Sequence, residues 1–91
     1  MKSIKPLIET KYGSFYAKIT YSSRDRVYFV TIPTFPGVMT EAKTLPVAKR
    51  YAKEIIELQC LDALDENKIV IDDTHRAYGK LARSGPLVVF A

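Results

Sequence analysis

Residues 32–42 read IPTFPGVMTEA, and this segment carries the most specific structural signal in the chain. Pro33 has no N–H to donate to a strand ladder, so a preceding strand is expected to end at Ile32. Pro36 presets φ and Gly37 tolerates positive φ, which together make a strong turn signal. We therefore expect a turn here, with Gly37 in a backbone conformation that other residues rarely adopt, followed by a short strand at 38–42.

Two strands are predicted before this turn. Residues 15–21 alternate between apolar or aromatic and more polar side chains, which is the period of a half-buried strand. Residues 22–26 form a polar loop of hairpin length, and residues 27–32 are rich in β-forming side chains. The two strands are expected to pair antiparallel, and residues 1–13 are interpreted as a polar N-terminal lead-in to the first of them.

A long helix is predicted after the turn, at about residues 45–67. The Thr44 hydroxyl can accept a hydrogen bond from an early helical N–H, and Pro46 falls in the first turn, where a missing N–H costs little. Asn67 is a suitable residue to end the helix. Apolar side chains recur at spacings of three and four and predict one broad buried stripe: Leu45, Ala48, Ala52, Ile55, Ile56, Cys60, Ala63 and Leu64.

The remaining residues form a connection, 68–85, and a terminal strand. The connection contains the apolar run 69–71 and a segment, 74–83, that is predicted to form a brief helix capped by Thr74. Residues 87–90 are short, continuous and β-branched, which is typical of a strand buried on both faces. The 91 residues thus predict one α+β domain with the order β-β-β-α-β.

Composition limits the classes of protein to which the chain can belong. The net charge is +4; residues 1–45 hold seven Lys or Arg against three acids, whereas residues 46–91 hold seven of each sign. The single cysteine, Cys60, excludes an intramolecular disulfide and is interpreted as a small buried apolar residue in a reducing, cytoplasmic setting. There is no signal-peptide pattern and no apolar run long enough to span a membrane. A homo-oligomer would help so small a domain, because association buries further apolar surface.

The sequence contains no pattern typical of an active site. His75, the only histidine, follows Asp72 and Asp73, but a catalytic triad or a zinc site needs further partners that are not evident. We interpret this acidic pair as part of a loop and helix cap. Phosphate-binding loops, dinucleotide fingerprints and nucleophile elbows are absent. We therefore predict no enzyme, no cofactor, and no catalytic, cofactor-binding or metal-binding residue.

Aromatic and basic residues alternate on the first two predicted strands. A sheet covered by one helix keeps one face open, and aromatic side chains on an open face indicate a partner surface. Aromatic residues beside basic groups can also bind single-stranded nucleic acid by stacking. The candidate residues for a partner or nucleic-acid surface are Tyr16, Lys18, Arg24, Arg26 and Tyr28.

Taken together, the segment Val30–Ala42, the helix start Thr44–Ala48 and residues Ala52–Glu54 resemble the HicB family, the antitoxin-type partners of HicA toxins. That family has a strand ending in a Pro-x-Leu/Phe-Pro-Gly turn, a short strand, and a Thr-Leu-x-x-Ala helix start with recurring alanines. The matching motif residues are Pro33, Phe35, Pro36, Gly37 and Thr44. The likeness covers residues 14–66, with the terminal strand matched by order alone.

The resemblance implies a partial RNase H-like fold, in which three antiparallel strands are joined by a last strand beside the first and one long helix covers one face. It also implies a non-enzymatic protein that forms dimers or tetramers and blocks a small, basic, RNA-cleaving HicA-like toxin. Because the sequence stops after the last predicted strand, we expect this chain to lack the DNA-binding module that many family members carry.

The charge of +4 differs from that expected of a protein that binds a basic toxin, since like charges oppose encounter. Acidic residues on the helix offer a local surface that could still face such a partner. The alternative function is a nucleic-acid-binding module of the same fold, which would use the basic, aromatic-rich first strands.

Overall fold

The computed structural model describes residues 3–78, and it confirms the prediction of an α+β domain. Antiparallel strands form the sheets, and one helix packs against them. The elements are β1 (Ser3–Ile4), β2 (Leu7–Thr10), β3 (Gly13–Tyr16), β4 (Lys18–Ser22), β5 (Val27–Thr31), β6 (Met39–Ala42), α1 (Leu45–Asp65), β7 (Val70–Ile71) and β8 (Ala77–Tyr78).

The main sheet has the strand order β1-β4-β5-β6, with every neighbouring pair antiparallel. The predicted first, second and third strands are β4, β5 and β6, preceded at the N-terminal side by β3. The loop between β4 and β5 closes where the Arg26 N–H donates to the Ser22 carbonyl oxygen at 2.7 Å. The predicted hairpin and its loop are therefore confirmed.

The N-terminal segment differs from the predicted polar lead-in, because it contains the two strands β1 and β2. In the structure β1 pairs with β4 and β2 pairs with β3. The Ala17 N–H donates to the Pro6 carbonyl oxygen at 3.0 Å and links the two short ladders into one long arm. Apolar burial explains the pairing, since Ile8 is buried opposite Phe15 in the register of the arm.

Helix α1 begins and ends by the predicted mechanisms. Thr44 Oγ1 accepts a hydrogen bond from the Val47 N–H at 3.4 Å. Asn67 has φ 62°, its N–H donates to the Leu64 carbonyl, and the Lys68 N–H donates to the Ala63 carbonyl. This pair of bonds is a Schellman motif, which stops the helix at Asp65, two residues before the predicted end.

The core lies between α1 and the helix-facing side of the sheet. The helix buries five small or apolar residues along one stripe: Ala48, Ala52, Ile56, Cys60 and Ala63. They pack in one cluster with Ile19 of β4 and Val30 of β5, which occupy partner positions in the sheet. Three of these residues are alanines, whose small side chains leave room for the helix backbone to lie close to the sheet.

The segment after the helix only partly follows the prediction. The apolar run 69–71 is largely buried and contains β7, but residues 74–78 do not form the start of a helix. His75 has φ 68°, which lies in the left-handed region and cannot continue a right-handed helix. The rest of the predicted helix, up to residue 83, and the terminal strand at 87–90 lie outside the described residues. At Ile19 and Thr20, the edge of β4 beside which that strand was predicted is paired with β1.

No helix within residues 3–78 is both long enough and apolar enough to cross a membrane.

Candidate interaction surface

The motif residues from the sequence analysis build the connection between the sheet and α1. The Phe35 N–H donates to the Ile32 carbonyl at 2.9 Å, and the Val38 N–H donates to the Phe35 carbonyl at 3.3 Å. Gly37 has φ 89°, which confirms the expected positive φ. The Phe35 ring is buried 5.4 Å from that of Phe15, so this turn anchors itself in the core. Pro33 and Pro36 are exposed on its outer side, and Thr44 caps α1. The motif thus has a structural role in the described residues.

The five residues predicted to form a partner surface do not share one surface. Tyr16 and Lys18 are exposed, whereas Tyr28 is half-buried and packs on the core, with its ring 4.8 Å from that of Tyr21. Lys18 and Tyr28 point to opposite faces, because Lys18 pairs with Thr31 and strand side chains alternate. Arg24 and Arg26 are exposed in the loop that follows the far end of β4.

The open face of the main sheet has a mixed chemical character. In the register of the strands, Lys18 of β4 and Met39 of β6 lie in one row, and Phe29 of β5 and Glu41 of β6 lie in the next. Met39 is 61% exposed, and Phe29 is half-buried. One basic, one acidic and two apolar side chains give this face no single preference for a type of partner.

The outer face of α1 has a clearer character. Leu58 is 56% exposed and Leu61 is 44% exposed, and they lie three residues apart. At 3.6 residues per turn they point away from the buried stripe that includes Ile56 and Cys60. They are therefore neighbours on the solvent side of the helix. We call the two leucines, together with the acidic side chains around them, the leucine–carboxylate face; it comprises Glu54, Glu57, Leu58, Leu61, Asp62 and Asp65.

Carboxylates dominate the charge of this face. Residues 54–66 contain five acidic side chains and no lysine or arginine. Within the described part of the chain, the one ion pair shorter than 4.0 Å joins Glu66 to Lys68 at 2.7 Å. Glu57 accepts a hydrogen bond from the backbone N–H of Lys11 at 3.2 Å. Most of the negative charge on the face is thus not matched by a cation from residues 3–78.

The charges along α1 run against the helix dipole. Lys49, Arg50 and Lys53 lie in its first half, while Asp62 and Asp65 lie in its last turn, and there is no acid in the first turn or base in the last. A helix is stabilised by the reverse arrangement, with typically 0.3–1 kcal/mol, as an order of magnitude, for each well-placed charge. The arrangement on α1 therefore makes the helix less stable than its exposed positions allow.

Asp72 is a buried acceptor for backbone N–H groups rather than a free carboxylate. The residue is 3% exposed. Its Oδ2 accepts from the Ser14 N–H at 2.7 Å, and its Oδ1 accepts from the N–H groups of Thr74 and Arg76 at 3.0 and 2.8 Å. The Thr74 hydroxyl also donates to both oxygens. Burial on its own raises the pKa of this carboxyl, but these hydrogen bonds outweigh it and hold the pKa below its usual value.

Asp73 extends the same contact to neighbouring segments. Its Oδ2 accepts from the Tyr16 N–H at 2.7 Å, and its Oδ1 accepts from the Thr34 hydroxyl at 2.6 Å. The two aspartates therefore link the turn after β7 to the edge of β3 and to the turn at residues 32–38, which we call the proline-rich turn. The predicted helix cap is replaced by the turn after β7, in which Asp72 Oδ1 accepts from the N–H groups of Thr74 and Arg76 and the Asp72 N–H donates to the Arg76 carbonyl oxygen at 2.9 Å.

Other reactive groups are used in packing. Cys60 is fully buried, as predicted, and burial, aided by the negative charges of Glu57 and Asp72, raises the pKa of its thiol to about 12. Among residues 3–78, no group of three or more His, Cys, Asp or Glu side chains is placed to hold a metal ion. Every buried side-chain nitrogen or oxygen in this part of the chain has a hydrogen-bond partner.

Sequence reasoning did not identify Leu58 and Leu61. The available signal was their position outside the three-and-four spacing of the buried stripe, in the most acidic stretch of the helix.

Comparisons with known protein families, with curated proteins and with solved structures find no match to this chain.

Proposed function

We propose that this domain is a non-enzymatic protein-binding module of the HicB antitoxin type, and that it binds its partner through the leucine–carboxylate face. The observation that carries the proposal is the exposure of Leu58 and Leu61 side by side on the outer side of α1. The resemblance of Val30–Glu54 to the HicB family supplies the type of partner, which is a small basic protein.

Exposed leucines favour association because burying them removes apolar surface from water. Full burial of a leucine side chain is worth roughly 1.5–3 kcal/mol, so covering two half-exposed leucines contributes about 1.5–3 kcal/mol in total. This is about a tenfold to hundredfold gain in affinity before any polar contact is counted. Polar and charged surroundings are also typical of the rim of a protein interface.

The leucine–carboxylate face also reconciles a net charge of +4 with a basic partner. At physiological ionic strength, charges further apart than about 8 Å are largely screened. A partner that approaches this face is therefore affected mainly by its four carboxylates rather than by the net charge of the chain. Local complementarity of this kind supports encounter with a basic surface.

The alternative, a nucleic-acid-binding module, requires basic and aromatic side chains on one surface. Lys18 and Tyr28 lie on opposite faces of the sheet, and Arg24 and Arg26 lie in a loop beyond the end of β4. The geometry therefore gives this alternative less support than the binding of a protein.

The test is a binding experiment with the protein encoded next to this gene, measured by isothermal titration calorimetry. We expect binding, and we expect the double variant Leu58→Gln/Leu61→Gln to weaken it at least tenfold. Met39→Gln is the matched control, since Met39 is equally apolar and exposed but lies on the open face of the sheet. A neighbouring product that does not bind, or equal loss in both variants, would count against the proposal.

A parallel titration with single-stranded RNA and DNA at low salt examines the alternative. Binding that weakens steeply with salt and is lost in Arg24→Gln/Arg26→Gln would favour a nucleic-acid-binding module.

A further inference from the structure

The carboxylates around Leu58 and Leu61 indicate what kind of molecule covers them. Resting on the proposed function, we propose that the occupant of the leucine–carboxylate face is a basic amphipathic segment of a partner protein. Its apolar side chains cover the two leucines, and its lysine or arginine side chains contact the carboxylates at the C-terminal end of α1.

The charge of the leucine–carboxylate face is complementary to that of a basic segment. Glu54, Asp62 and Asp65 are exposed, and none forms an ion pair within the described residues. Ionised carboxylates accept hydrogen bonds and cannot donate them, so this face favours the binding of positively charged hydrogen-bond donors. Lysine and arginine are the side chains that satisfy this requirement, and their bonds to carboxylates are among the stronger hydrogen bonds.

The order of charges along α1 is the reverse of the one that stabilises a helix. The helix dipole places partial negative charge at the C-terminus, and Asp62 and Asp65 add to it. A helix that only covered a sheet would be more stable with the charges of its two ends exchanged. Positions at which a sequence departs from local stability rules are expected at functional sites. The departure here concentrates negative potential beside the exposed leucines.

The same order of charges determines where along α1 the bound segment lies. Lys49, Arg50 and Lys53 make the first half of α1 basic, and the acidic residues begin at Glu54. A basic segment is repelled by the first half and attracted by the second. We therefore place the cations of the partner over the last three turns of α1, with the apolar residues of the partner against Leu58 and Leu61.

The probe for this inference is a synthetic helical peptide with leucine along one stripe and lysine at the other positions. It is titrated into isotopically labelled protein, and backbone amide shifts are followed by NMR. We expect saturable shifts centred on residues 57–62 and an affinity that decreases with added salt. The matched control is the same peptide with glutamate in place of lysine, which should bind at least tenfold more weakly.

Variants of the chain separate the charge contribution from the apolar one. We expect Asp62→Asn/Asp65→Asn to weaken lysine-peptide binding about tenfold while raising the melting temperature of the free protein. Glu41→Gln, an exposed acid on the open sheet face, should leave the affinity unchanged. If Leu58→Gln/Leu61→Gln abolishes binding but the aspartate variant does not weaken it, the proposed function stands and this inference is overturned. If neither variant affects binding, both fail.

Two other occupants would also overturn the inference. A second copy of the chain is indicated if the protein self-associates in sedimentation experiments and Leu58→Gln/Leu61→Gln abolishes this. The chain's own residues 79–91 are indicated if Lys80→Gln/Arg83→Gln shifts the amides of Leu58 and Leu61 in the absence of peptide.

Discussion

Two pairs of aspartates in this domain have the same side chains and opposite surroundings. Asp72 and Asp73 accept hydrogen bonds from two other segments of the chain, β3 and the turn that contains Thr34, and Asp72 is almost completely buried. Asp62 and Asp65 are exposed on the last turn of α1, without an ion pair in the described residues. The difference separates two uses of a carboxylate. One pair satisfies hydrogen-bond donors of its own fold, and the other keeps its acceptors exposed, where we propose that a partner contacts them.

The largest expected effect of a substitution is at Asp72. Asp72→Ala leaves the N–H groups of Ser14, Thr74 and Arg76 without their acceptor in a part-buried position. Hydrogen bonds to a charged group and the cost of unsatisfied donors suggest a loss of about 3 kcal/mol in the free energy of unfolding. Urea denaturation measures it. The matched control, Asp62→Ala, should change this free energy by less than about 0.5 kcal/mol. Equal losses in the two variants would contradict the difference in role between the two pairs of aspartates.

The pH dependence of stability should come from Asp72. Its folded pKa lies below the unfolded value of 3.8, so the folded state binds fewer protons than the unfolded state in this range. The stabilisation is complete above the unfolded pKa, decreases as the pH falls below about 4, and is lost once the pH passes the folded pKa. Denaturation curves between pH 6 and pH 2 should show this decline. Asp72→Asn should flatten it, whereas Asp62→Asn should leave it in place; an unchanged profile in Asp72→Asn would contradict the assignment.

Asp73 should have an intermediate effect, because it is half-buried and accepts two hydrogen bonds. Asp73→Ala is expected to lower the free energy of unfolding by about 1–2 kcal/mol. Thr34→Val removes only the contact with the proline-rich turn, while it retains the bond from the Tyr16 N–H. Thr34→Val should therefore lower the free energy of unfolding by less than Asp73→Ala does. In denaturation experiments, a loss in Thr34→Val as large as that in Asp73→Ala would show that the turn, rather than β3, is the main partner of Asp73.

Sequence reasoning succeeded where neighbouring residues determine the structure. The Pro36-Gly37 turn and the Thr44 cap each depend on a few adjacent positions, and both appear in the structure. The two-residue alternation holds at Phe15, Ala17 and Ile19, which are buried, but not at Tyr21, which is 40% exposed. The helix stops at Asp65, and Asn67, the residue predicted to close it, has the positive φ of the Schellman motif. These features require no knowledge of distant contacts.

Prediction failed where distant contacts outweigh local preference. Residues 74–78 have a plausible helix cap, but the bond between Asp72 and Ser14, 58 residues away, draws the segment into a turn against β3. The arm formed by β1 and β2 likewise depends on pairing with β3 and β4. The aromatic and basic residues around Lys18 and Tyr28 looked like one surface in sequence, but strand alternation places these two on opposite faces.

The smallest expected effect is a gain in stability, and it concerns the exposed pair, Asp62 and Asp65. Asp62→Asn/Asp65→Asn removes two negative charges from the C-terminal end of α1, where they oppose the helix dipole. The free protein should become more stable by about 0.5–1 kcal/mol, which raises the melting temperature of a domain this size by roughly 2–8 °C. Thermal unfolding followed by circular dichroism at low salt measures the gain, which should shrink in high salt because these positions are exposed. Lys49→Gln/Arg50→Gln is a second test, which removes two positive charges near the other end of the helix. It should also increase the stability of the free protein. A destabilised Asp62→Asn/Asp65→Asn variant would show that these carboxylates, like Asp72, serve the fold.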